Sequence, residues 1–147
     1  MKRQGRAQRK KFKGVLDTNV LVSAWFWEGN ESKIVELVER GLLLGYTSAQ
    51  MTDELRSALA HPKFQLSERD ISIAMGYYEL ILRTIEPRIG VNAIHGDPSD
   101  NKILACAISV RADVIITGDR HLLTLGKFKD VKISTSAEFL GTVLRGR

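Results

Sequence analysis

The sequence predicts an α/β fold in which a central parallel sheet carries helices on both faces. Short apolar runs typical of buried strands recur along the chain, and stretches with apolar residues at helical spacing separate them. The two kinds of segment alternate rather than cluster, which is the pattern of parallel strands joined by crossover helices.

Four apolar runs predict the main strands of the sheet, in the ranges 14–17, 42–47, 113–117 and 131–135. Each run is short and rich in Val, Ile, Leu or Thr, as strands are. A shorter strand is expected at the sheet edge over 88–92.

The helices between these strands are predicted from their apolar spacing and their end signals. Ser32, Ser48 and the capping-box sequence at Ser67 mark helix starts, while Pro62 and Pro87 mark helix ends. The expected helices cover about 18–27, 32–40, 48–60, 67–86, 97–111 and 120–125, and a last one begins at Ser136.

Length and composition indicate one globular domain. The chain has 147 residues, of which 44% are hydrophobic and 27% charged. No apolar run reaches the ~18 residues of a membrane span, and the basic N-terminus lacks the apolar segment of a secretory signal. The single cysteine, Cys106, excludes an internal disulfide and a Cys-based zinc site. We therefore expect a cytoplasmic protein with no membrane partner.

Positive charge is concentrated at the N-terminus. Residues 1–13 hold seven Lys and Arg and no acidic residue, which leaves 15 basic and 17 acidic residues in 14–147. We expect a flexible basic arm over 1–13 and a single domain over 14–147. The arm, which includes Lys10 and Lys11, either contacts nucleic-acid phosphates or is a solvated tail.

Two predicted strands lead into an aspartate. Asp17 closes the first strand, and Asp119 follows the third. The carboxyl ends of parallel strands meet at one edge of an open sheet, and ligands bind outside that edge. Both carboxylates are therefore expected at the functional edge, although each also suits the N-cap of the next helix.

A third acid, Glu54, borders the apolar stripe of the helix over 48–60. It lies three residues after Met51, whereas Asp53 points to the opposite side. Glu54 is therefore the acid of this helix that faces inward, unless its stem only lies along the stripe while its carboxylate stays in solvent.

A fourth acid, Asp100, lies in the first turn of the helix over 97–111. It precedes Ile103 by three residues and therefore projects from the face that we expect to be buried. A buried carboxylate is costly without partners, and a cation would offset its charge. Asp97, directly before a proline, is expected to cap this helix.

These four carboxylates predict a metal site rather than a protein nucleophile. Clustered carboxylates stay ionised only when cations intervene, and oxygen ligands suit Mg²⁺ or Mn²⁺. Such a cluster hydrolyses phosphodiesters through a metal-activated water. The chain contains no nucleophile elbow and no glycine-rich phosphate loop.

Four segments in order make the sequence resemble the PIN domain family. They are VLDTNVLVSA, TSAQMTDELRSAL, DPSDNKILACA and VIITGDRHLL, and the later ISTSAEFL resembles the last strand and helix of the family. The resemblance covers about residues 14–140. It looks closest to the branch of toxins from prokaryotic toxin–antitoxin systems.

The resemblance implies a three-layer α/β/α sandwich and Mg²⁺- or Mn²⁺-dependent cleavage of single-stranded RNA. It also implies a homodimer and an antitoxin partner. The catalytic and metal-binding quartet that it implies is Asp17, Glu54, Asp100 and Asp119. The supporting residues that it implies are Asn19, Thr117 and Asp97.

Two basic residues, Lys102 and Arg120, flank the acids and either contact phosphate or are ordinary surface charges.

Two other functions stay open. One is a non-catalytic RNA-binding or RNA-processing assembly module, which gains nothing from clustered negative charge. The other is a phosphatase-like protein with Asp17 as phosphate acceptor, but Asn19 stands where that chemistry needs a second aspartate.

Overall fold

A computed structural model describes residues 11–88 and 98–145, and these residues form a six-stranded sheet. The strands lie in the order β3-β2-β1-β4-β6-β5, and all neighbours are parallel except β5 and β6. The α/β class with a mostly parallel central sheet is confirmed. The strand bounds are β1 (Phe12–Leu16), β2 (Leu43–Thr47), β3 (Arg83–Thr84), β4 (Val114–Ile116), β5 (Lys127–Phe128) and β6 (Val131–Ser134).

Helices occupy most of the remaining described chain, and a 3-10 turn at Pro62–Phe64 lies between two of them. Ser48 and Ser67 cap helices by accepting hydrogen bonds from backbone N–H groups, as predicted. Among the described residues, no helix has the length and apolarity to cross a membrane. The helices are α1 (Thr18–Phe26), α2 (Asn30–Glu39), α3 (Ala49–Leu59), α4 (Glu68–Ile81), α5 (Pro98–Val110), α6 (Arg120–Leu125) and α7 (Ser136–Arg145).

The sheet is buried on both faces, which gives three layers. Leu16 and Ile116 belong to a core shared with α1, α2, α4 and α7, while Val15 and Ile115 belong to a core shared with α5 and α6. Alternate residues of a strand point to opposite faces, and all four of these side chains are at most 1% exposed. Helix α3 contributes to both cores.

The register of the central strands places two polar residues side by side. Leu16 of β1 is paired with Ile116 of β4, so Asp17 and Thr117 follow at the same edge. The N–H of Asp17 donates to the Ile116 carbonyl at 3.0 Å, which fixes the backbone just beyond the strands.

Strand β1 and helix α2 begin earlier than predicted. Strand β1 begins at Phe12, earlier than the predicted 14, because its pairing with β2 already starts there. Helix α2 begins at Asn30 rather than near Ser32. The Ser32 hydroxyl accepts a hydrogen bond from the Gly29 N–H, so it caps the helix from inside the first turn.

The predicted helix over 67–86 is too long, because α4 ends at Ile81. Leu82 is extended, and Arg83–Thr84 pair with β2 as the edge strand. The predicted edge strand at 88–92 is wrong at Arg88, which is not in a strand, and 89–92 lie outside the described residues. Strand β5, only two residues long and antiparallel, was not predicted.

Candidate functional site

A cavity of about 250 Å³ lies at the carboxyl edge of the sheet, where β1 and β4 end. All four sequence-predicted carboxylates line it, although they come from four separate segments of the chain. Its described lining is Asp17, Thr18, Asn19, Met51, Glu54, Asp100, Lys102, Ile103, Asp119 and Leu122.

Asp17 is held by the neighbouring strand end. The Thr117 hydroxyl donates a hydrogen bond of 2.6 Å to Asp17 Oδ2. Burial raises the pKa of Asp17 above its usual range. The Thr117 hydrogen bond opposes this shift, while the charges of Glu54 and Asp119 add to it. Burial in the cavity therefore disfavours the charged form of Asp17 relative to an aspartate in water.

Asp119 is tied to the same threonine and to the helix that follows. Its own N–H donates to Thr117 Oγ1 at 3.0 Å, and its Oδ1 accepts a 2.9 Å hydrogen bond from the N–H of His121 at the start of α6. Thr117 is 1% exposed and bridges the two aspartates. The side chain of Asp119 is thus both an N-cap and part of the cavity wall.

Glu54 reaches the cavity from α3 and is held by side chains. The Thr18 hydroxyl donates a 3.0 Å hydrogen bond to Glu54 Oε1. The Lys102 ammonium lies 3.7 Å from the same oxygen. Sequence reasoning did not find Thr18. Its place directly after Asp17 in the α1 first turn was the only available signal.

Asp100 is the most buried of the four acids, at 2% exposed, in the first turn of α5. The partial positive charge of a helix N-terminus stabilises a carboxylate there by ~0.3–1 kcal/mol. Its position agrees with the helical spacing, which put it on the buried face.

The other predicted residues are spread more widely. Asn19 and Lys102 line the cavity, whereas the exposed Arg120 follows Asp119 at the start of α6 without lining it. Lys11 precedes β1 and therefore lies at the opposite edge of the sheet from the cavity. Lys10 and Asp97 lie outside the described residues.

The donor chemistry of the cavity fits a hard divalent cation. The four acids offer only oxygen ligands, as Mg²⁺ and Mn²⁺ prefer. Within the described residues, however, no three Asp, Glu, His or Cys side chains come close enough together to hold one ion as they stand. Binding therefore requires the carboxylates to turn toward one another or to bind through water.

Comparison of the chain with protein-family models gives a match. The family model for the PIN domain matches residues 13–121, well over half of the chain. The matched range contains all four carboxylates as well as Thr18 and Thr117. A search of the curated proteins found no match.

Proposed function

The chain belongs to the PIN domain family, and from that premise we propose that it is a metal-dependent endoribonuclease acting on single-stranded RNA. The fold is of the nuclease type. The observation that carries the proposal is the convergence of Asp17, Glu54, Asp100 and Asp119 on one cavity. A protein that only binds a polyanion has no use for four carboxylates at its binding site.

The four carboxylates are the groups that would hold Mg²⁺ or Mn²⁺. A bound ion would supply an activated water and would offset negative charge on the phosphate. The Thr117 hydroxyl orients the Asp17 carboxylate and the His121 N–H orients that of Asp119, so these two side chains need less ordering on binding than Glu54.

Basic side chains near the cavity support an RNA substrate. Lys102 lines the cavity, and Arg120 is exposed next to Asp119 in the chain. Lys102, whose ammonium lies 3.7 Å from Glu54 Oε1, is close enough to the acids to contact a phosphate of bound RNA. Lys11 lies at the far edge of the sheet, so any phosphate contact that it makes is outside the cavity.

The experiment that tests the activity is incubation of single-stranded RNAs with the protein in Mn²⁺, Mg²⁺ or EDTA. The variant is Asp119→Asn, because asparagine also caps helices and should preserve α6. Its matched control is Asp130→Asn, an exposed aspartate in the β5–β6 turn.

We expect the parent and Asp130→Asn to cleave RNA with either metal and not in EDTA. Asp119→Asn should be at least about 100-fold slower, since it loses a charged ligand. Cleavage that survives both EDTA and Asp119→Asn would mean a contaminating nuclease and would count against the proposal.

We further propose that the nuclease is the toxin of a toxin–antitoxin pair, as its family resemblance suggests. Induced expression of the parent should then arrest bacterial growth, while Asp119→Asn should not. Growth arrest by both proteins would show that the effect does not come from RNA cleavage.

A homodimer is proposed from the outer face of α4. Ile73 and Leu80 are 54% and 85% exposed, and with Tyr77 they follow helical spacing on one face. Light scattering should give twice the monomer mass for the parent and the monomer mass for Leu80→Lys. A monomeric parent at micromolar concentration would contradict this assembly.

A further inference from the structure

Lys102 supplies the only positive side-chain charge among the described residues that line the acidic cavity. Its ammonium lies 3.7 Å from Glu54 Oε1, and the two side chains are 26% and 41% exposed. The pair is therefore partly shielded from solvent, in a cavity that also contains three further carboxylates. Lys102 therefore differs from an ordinary surface lysine, because its charge acts on the acidic groups of the cavity.

The contact is electrostatic rather than a tight hydrogen bond. The distance of 3.7 Å exceeds the range of N–H···O bonds, and Glu54 Oε1 already accepts the Thr18 hydroxyl at 3.0 Å. Residues two apart on a helix point in different directions, yet Lys102 lines the same cavity as Asp100, which its long and flexible side chain allows. Such a side chain can leave Glu54 without disturbing α5.

An ammonium group and a divalent cation are alternative partners for the same carboxylate. While the lysine stays beside Glu54, it favours the ion-free arrangement and repels an incoming cation. If a cation took Glu54 as a ligand, the ammonium would have to move away from that oxygen. The two positive charges therefore compete for one site.

We propose that Lys102 is a positioning residue that acts as a displaceable counter-ion. It holds Glu54 in the metal-free protein and must be displaced by the divalent cation. The inference rests on the proposed function, because it takes the cavity to be a metal site. Its consequence is that Lys102 weakens metal binding, whereas a purely structural ion pair would leave metal affinity unchanged.

The test is calorimetric titration of the full chain with Mn²⁺ in the absence of RNA. We expect Lys102→Met, which keeps the apolar stem and removes the charge, to bind Mn²⁺ roughly three- to tenfold more tightly than the parent. Lys102→Arg, which keeps the charge, should stay near the parent. Lys33→Met, an exposed lysine on α2, is the matched control and should bind as the parent does.

A double variant tests whether the effect passes through Glu54. In the Glu54→Gln background, Lys102→Met should leave Mn²⁺ affinity close to that of Glu54→Gln alone, because the carboxylate beside the lysine has lost its charge. If Lys102→Met tightens binding in that background as much as it does in the parent, Lys102 acts on the other acids and the inference is wrong.

The outcomes separate this inference from the proposed function. A parent that binds no Mn²⁺ overturns both. A parent that binds Mn²⁺, with Lys102→Met binding equally or more weakly, overturns only the role of Lys102. If Lys102→Met does not fold by circular dichroism, Lys102→Gln carries the same expectations.

Discussion

Asp17 and Asp119 are held in the cavity by the ends of adjacent strands, whereas Glu54 is held there by other side chains. The two aspartates share one buried partner, Thr117, whose position follows from the strand register. Glu54 depends on Thr18 and on the loosely placed Lys102. Asp17 and Asp119, fixed by Thr117, therefore form a rigid wall of the cavity. Glu54, Thr18 and Lys102 form an adjustable wall.

This difference bears on the proposed metal site, because no three ligands among the described residues are held together as the cavity stands. The rigid pair would set where an ion lies, and the adjustable acid would complete its coordination. Preorganised groups lose little freedom on binding, while adjustable groups lose more.

The largest expected effect is on RNA cleavage by variants of the two walls. Asp17→Asn should lower the cleavage rate about 10³-fold, because it removes a charge from the rigid wall. Glu54→Gln should lower it about 10–100-fold, since the adjustable wall is the less determined part of the site. Initial rates at saturating Mn²⁺ measure both.

The chain offers a control on the same helix as Glu54. Asp53→Asn alters an exposed carboxylate beside Glu54 that lines no part of the cavity and should leave the rate within about twofold. If Glu54→Gln costs as much as Asp17→Asn, the distinction between the two walls has no catalytic meaning.

The rigid wall could be predicted from sequence, because its positions follow from topology. A strand that ends in Asp17 beside a strand that leads to Asp119 places both acids at one edge of any parallel sheet. Helical spacing also put Asp100 on the buried face of α5. These inferences need only the local period and the parallel arrangement of the strands.

The adjustable wall could not be predicted in the same way. The direction of the Lys102 stem and the partner of the Thr18 hydroxyl depend on rotamers and on packing between α1, α3 and α5, which no local pattern encodes. The early end of α4 has a similar cause. Apolar residues continue at helical spacing past Ile81, but the helix ends there because the next residues form β3 and pair with β2, which is distant in the chain.

The second prediction concerns the stability of the rigid wall. Thr117→Val should lower the free energy of unfolding by about 1–3 kcal/mol, because it removes a hydroxyl that both donates to Asp17 and accepts from the Asp119 N–H in a buried place. Urea denaturation measures the change. Thr124→Val, at an exposed threonine of α6, is the control and should change it by less than ~0.5 kcal/mol.

The third prediction applies the same change to the adjustable wall. Thr18→Val should cost only about 0.5–1.5 kcal/mol, because Glu54 is partly exposed and can turn its freed oxygen to water. The same urea titration measures it. A loss equal to that of Thr117→Val would show that Glu54 is fixed as firmly as Asp17.

The smallest expected effect is the pH dependence that Asp17 gives to metal-free stability. Burial raises the pKa of Asp17 in the folded protein above its value in the unfolded chain, so between these two values the folded state binds more protons. Stability from this group is therefore lost as the pH rises from about 4 through the folded-state pKa. In EDTA, the urea midpoint of Asp17→Asn minus that of the parent should increase with pH over this range and stay constant above it. A decrease in this difference would mean that hydrogen bonding, chiefly from Thr117, outweighs burial and that the rigid wall favours the charged carboxylate even without an ion.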